Sequence, residues 1–111
     1  MLGQNECKFF DKLEVLADLL CAGKIDNKVL DEYGLKYMEY ELFCGNDWFV
    51  RHFDGTADYL LECDPNELGR PFDELAAHAE KEIALFRKYG YNDMADSMER
   101  MLNEAKDYAN A

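Results

Sequence analysis

From Phe72 to Tyr108 the apolar residues keep the period of an α-helix, and one glycine divides the pattern in two. Phe72, Ala76, Ala79, Ile83, Phe86 and Gly90 recur at spacings of four and three, and Tyr91, Met94, Met98, Met101, Ala105 and Tyr108 then do so again. Such spacing gathers one stripe of a helix and is incompatible with the two-residue period of a strand. Pro71 opens the first of these helices, and Arg87 and Lys88 fall in its last turn, where cations offset the helix dipole. Asn92 is the expected cap of the second, with Asp93 and Asp96 in its first turn. A connection of only a few residues forces the two to fold back as an antiparallel hairpin. The methionine seam of the second helix then belongs to the core, with a self-association face as the alternative.

The first half carries the same signals more loosely. Phe9, Leu13, Leu16 and Leu20 lie on one helical face over residues 5–22, with Asn5 as cap, Glu6 just inside it, and Gly23 placed for a left-handed ending. Asp26 is placed to cap a second helix bearing Val29, Leu30 and Tyr33, with Tyr37, Met38, Leu42 and Phe43 following as far as Gly45. Gly34 leaves open one continuous helix or two meeting there. Residues 46–63 fit two patterns. Val50, Phe53, Ala57, Leu60 and Leu61 form a helical stripe, whereas Asp54-Gly55 is a favoured hairpin turn pair between two apolar runs. Helix is the expectation, because an isolated two-stranded hairpin is marginal; Thr56 is also placed to cap a new helix after a break at Gly55. Asp64-Pro65 reads as a cap followed by proline at the first helical position. The expected fold is therefore all-α, a single domain over 1–111 with a small bundle of about four to five helices. The alternative is α+β with a short β-hairpin at 48–62.

A chain of 111 residues with 49% apolar content can bury one core without metal or disulfide staples. Cys7 and Cys21 would lie about 21 Å apart on one helix, too far to bridge. With no basic, apolar leader at the start and no membrane-length apolar run, the expectation is a cytoplasmic protein with reduced, mostly buried thiols (Cys7, Cys21, Cys44, Cys63). The net charge of −12 repels phosphate backbones and anionic lipid, which argues against direct nucleic-acid or membrane binding and toward a basic partner.

Motifs for chemistry fail on inspection. His78-Ala79-Glu80-Lys81-Glu82 lacks the second histidine of a metalloprotease, and its H-x-E has no PCxxC companion. Asp54 to Asp58 alternates oxygen ligands like a calcium loop, but Tyr59 replaces the required glycine and Pro65 the final glutamate. There is no CxxC pair, phosphate cradle or serine elbow, and a zinc site from Cys44, His52, Cys63 and His78 would have to be assembled from scattered positions. The expectation is no enzyme, no cofactor and no metal.

What stands out is where the acid lies. Asp47, Asp54, Asp58, Glu62, Asp64 and Glu67 crowd residues 46–69 against Arg51 alone, while residues 70–90 balance their signs. On one helix, Asp54, Asp58 and Glu62 would form a row rising about 6 Å per step, at a repulsive cost of a few tenths of a kcal/mol per pair. The row suits lysines and arginines on a partner; as a solvated face it would serve solubility alone. The functional expectation is an acidic inhibitor docking on the basic surface of a nucleic-acid-handling protein such as a nuclease. Small anti-restriction and anti-CRISPR proteins share that strategy, in size and charge only. Trp48, Phe49 and Tyr59 would be its aromatic anchors. The alternative is a helical adaptor or homodimer using apolar contacts.

Overall fold

The computed structural model describes residues 4–53 and 55–110, and side chains from Lys12 onward except that of residue 13. It is all-α, with no strand among the described residues. Four long helices, α1 (Gln4–Cys21), α2 (Asn27–Phe43), α5 (Phe72–Lys88) and α6 (Asn92–Ala109), are joined by two short ones, α3 (Asp47–Arg51) and α4 (Thr56–Glu62), and a 3-10 turn at Pro65–Glu67. The chain divides into two compact units, Met1–Glu41 and Leu42–Ala111.

In the first unit α1 ends as its glycine demands. Gly23 adopts φ +73°, the Lys24 amide donates to the Leu19 carbonyl at 2.9 Å and the Gly23 amide to that of Leu20 at 3.0 Å, a left-handed Schellman ending. Leu16 is buried and Leu20 half-buried on the expected face; the side chains of Phe9 and Leu13, and the capping groups of Asn5 and Glu6, lie outside the described residues. Asp26 caps α2, its Oδ1 accepting the Val29 amide at 3.2 Å. Gly34 does not break that helix, which runs continuously through it, so the two-helix option is set aside. A lone glycine costs a helix only about 1 kcal/mol relative to alanine.

In the second unit α4, α5 and α6 pack on one another. Each brings an alanine with no exposed surface, Ala57, Ala79 and Ala95, and such small side chains let helices approach closely. Around them lie Leu60 of α4, Leu75, Ala76, Ile83 and Phe86 of α5, and Met98, Leu102 and Ala105 of α6. The four-three stripe of α5 is thus the core face. On α6 the buried stripe is Ala95, Met98, Leu102 and Ala105, displaced from the expected seam: Met94 and Met101 sit half-buried on its flank and Tyr108 is 72% exposed. Asn92 is the first helical residue, not the cap, which falls to Tyr91 without a side-chain bond. The α5–α6 connection is a second Schellman ending, with Gly90 at φ +87°, the Tyr91 amide on the Phe86 carbonyl at 2.9 Å and the Gly90 amide on that of Arg87 at 3.1 Å. The hairpin is antiparallel: Arg87 meets Asp96 at 2.9 Å and Glu99 at 2.5 Å, and Lys106 meets Glu80 at 3.0 Å. Hydrogen bonds from the Arg87 guanidinium to Asp96 and then Glu99 hold its pKa above the usual arginine value.

Segment 46–63 is helical, as expected, and of the two helical options it takes the one with a break before Thr56, giving two helices. Asn46 caps α3 through its Oδ1 and the Phe49 amide at 3.2 Å. The chain then leaves helical geometry after Arg51 and re-enters it at Thr56, with Gly55 extended at φ −86° and ψ 172° as the cap residue. The β-hairpin at 48–62 does not form.

Candidate functional site, the acidic segment 47–67

The break between α3 and α4 is held by groups from elsewhere in the unit. Val50 is buried, and Phe49, Phe53 and Phe86 form an aromatic chain into the core, with ring centroids 5.4 and 5.1 Å apart. Phe49 therefore turns inward as a packing residue. The opposite side of α3 faces solvent. Trp48 is 64% exposed and lies nearly parallel to His52, 4.7 Å between centroids and 21° between planes, with His52 Nδ1 2.9 Å from the Trp48 carbonyl.

Gly55 has no side chain with which to cap α4. Glu82 of α5 supplies the cap instead: its Oε1 accepts the Thr56 amide at 2.9 Å and its Oε2 the Thr56 hydroxyl at 3.1 Å. The first amides of a helix have no partner within it and carry the positive end of its dipole, so a carboxylate there is doubly favoured. Glu82 is only 6% exposed, and His78, one turn earlier, places Nε2 3.4 Å from its Oε2. A Cβ on Gly55 would stand 2.9 Å from the Phe53 ring and 3.4 Å from Glu82 Oε1, so the smallest residue belongs there. Thr56 is thus the first residue of α4 and donates, where the sequence suggested a cap that accepts.

Two members of the expected carboxylate row lie within the described residues. Asp58 and Glu62 stand one turn apart on α4, but the helix starts at Thr56, and Asp54 lies outside the described residues. Asp47 is matched by Arg51 at 2.9 Å, both side chains largely exposed. Asp64 caps the 3-10 turn, accepting the Asn66 amide at 2.9 Å. Glu62, Asp64 and Glu67 are exposed and Asp58 half-buried; among the described residues none of these four has a lysine or arginine within ion-pair distance. Tyr59, between Asp58 and Glu62, is 42% exposed.

The expectation of mostly buried thiols is overturned. Cys21 and Cys44 are exposed and Cys63 is half-buried, all free, while the Cys7 side chain lies outside the described residues. Cys21 ends α1 and Cys44 and Cys63 immediately follow α2 and α4, where helical stripes run out. Among the described residues no three histidine, cysteine or acidic side chains gather as metal ligands. No described helix is long and apolar enough to cross a membrane. Sequence reasoning missed Glu82, which it took for part of a balanced surface. The signal was positional: Glu82 falls three residues after Ala79 and four before Phe86, on the buried stripe. No protein-family model, curated protein or solved structure matches the chain.

Proposed function

We propose that this is a non-enzymatic acidic binding protein that docks segment 47–67 on the basic, nucleic-acid-binding surface of another protein and so competes with nucleic acid for it. The observation that carries the reading is a contrast within one unit. Residues 70–90 set four cations against four acidic residues. On α5 and α6 Glu74 pairs with Arg70, Glu80 with Lys106, and Asp96 and Glu99 with Arg87, while Asp73, Asp93, Glu104 and Asp107 stay unmatched among the described residues. On 47–67 the sole cation is spent on Asp47, and Asp58, Glu62, Asp64 and Glu67 are left for cations from outside. A cluster of one sign steers a partner of the other sign and fixes its orientation.

The test uses a panel of purified nucleases and other duplex-binding proteins, titrated with this protein at low and moderate salt. Binding that weakens steeply with salt, is displaced by duplex DNA and is lost in the Glu62→Lys/Glu67→Lys variant supports the reading. Binding that survives both reversals at low salt refutes it. A second reading, an adaptor or homodimer with apolar contacts, draws on the exposed aromatics Phe43 (75%) and Tyr108 (72%). Association of that kind would hold or tighten as salt rises.

A further inference from the structure

Trp48 is the one tryptophan of the chain, and the fold turns it outward while drawing its neighbours in. Val50 is buried, and Phe49 is committed to the ring chain through Phe53 to Phe86. Trp48 is left 64% exposed and held against the nearly parallel His52 ring, and the residue before it on α3 is Asp47, whose carboxylate pairs with Arg51 in the open. The His52 ring is itself fixed by the 2.9 Å contact of Nδ1 with the Trp48 carbonyl, so the two rings form an ordered platform.

Indole has the strongest cation-binding face of any side chain, and a planar guanidinium both stacks on it and forks onto a neighbouring carboxylate. A lysine ammonium is more strongly hydrated and does neither as well. We infer that the Trp48–His52 platform, with Asp47 preceding it on α3, is a docking site for an arginine side chain of a basic partner and selects arginine over lysine. The occupant follows from charge complementarity: an exposed aromatic face within a segment whose carboxylates outnumber its cations suits a cation able to use both. In the bound state the partner's guanidinium would compete with Arg51 for Asp47, a displacement made easy because that ion pair lies open to solvent. The inference rests on the reading of segment 47–67 as the surface for a basic partner and adds which cation it prefers.

The experiment titrates the full chain with an arginine-rich and a lysine-rich peptide of equal length and charge at one low salt concentration. Affinities come from anisotropy of the labelled peptides, with Trp48 emission as a direct reporter. The expected result is a saturable emission change with the arginine peptide, about two- to fivefold tighter binding than for the lysine peptide, and loss of that preference in Trp48→Ala with lysine-peptide affinity unchanged. Circular dichroism checks that Trp48→Ala remains folded. Equal affinities in the parent chain, or a preference that survives Trp48→Ala, overturn the arginine site while leaving the acidic-surface reading intact. Binding of neither peptide overturns both.

Discussion

Glu82 is the residue whose replacement tests the account of the fold most sharply. It stands 6% exposed on the apolar face of α5, a position where an unpaired carboxylate would be strongly unfavourable. Its role as the cap of α4 rests on the bonds from the Thr56 amide at 2.9 Å and hydroxyl at 3.1 Å. Loss of a capping acceptor costs about 0.5–2 kcal/mol, and loss of the hydroxyl bond about 1 kcal/mol more. Glu82→Ala is therefore expected to cost about 2–3 kcal/mol, a large share of the 5–15 kcal/mol that holds a domain together. Glu82→Gln keeps one carbonyl oxygen for the Thr56 amide and should lose about half as much. Thr56→Ala removes only the hydroxyl, about 1 kcal/mol. In the double variant the costs should fall short of additive by about that amount, because each single change already deprives the other group of its partner.

Urea unfolding followed by circular dichroism measures these differences, and amide exchange locates them. Exchange at Thr56 and Ala57 should accelerate in Glu82→Ala while Leu102 and Phe86 keep their relative protection. The decisive variant is Glu82→Leu. If Glu82 were only a tolerated buried charge, an apolar residue of similar size would leave stability equal or higher. If it caps α4, leucine fills the space but leaves the Thr56 donors without an acceptor, and stability falls. A Glu82→Leu protein as stable as the parent, with unchanged exchange at Thr56, would refute the capping argument.

The other expectations can be checked on the same material. Phe86→Ala, at a side chain with no exposed surface, should cost about 3–5 kcal/mol in urea unfolding. Gly90→Ala meets no steric neighbour, but at φ +87° it should cost about 1 kcal/mol through backbone strain alone, visible as a lowered melting temperature. Glu62 is the last residue of α4, where an anion opposes the helix dipole, so Glu62→Lys should leave stability equal or raise it by a few tenths of a kcal/mol even as Glu62→Lys/Glu67→Lys abolishes binding to a basic partner.

The legible parts of the fold were those decided by local chemistry. The endings at Gly23, Gly45 and Gly90 all take positive φ, and the cap at Asp26 and the Asp64-Pro65 turn form as read. Each depends on residues a few positions apart, which a sequence displays directly. On α6 Met98 and Ala105 are buried as read, while Ala95 and Leu102 take the central places expected of their neighbours Met94 and Met101, which lie half-buried on the flank. Burial there is set by which neighbours need a small side chain, and Ala95, with no exposed surface, meets that need.

Segment 46–63 resisted reading for a different reason, and the same reason shapes the candidate site. Its helix start is completed by a carboxylate 26 positions away in sequence, so no window around Gly55 contains the deciding interaction. With Glu82 capping α4, α3 and α4 are separate helices, Asp47 lies on the first, Asp58 and Glu62 on the second, and Asp64 and Glu67 at the 3-10 turn. Trp48 is carried on a helix of its own, anchored from one side by Phe49 and Val50 and open on the other. The buried Glu82 and the exposed Trp48 are in this sense one design: an interior carboxylate fixes the entry to α4, and the chain leading to it turns an aromatic platform outward at the head of the acidic segment.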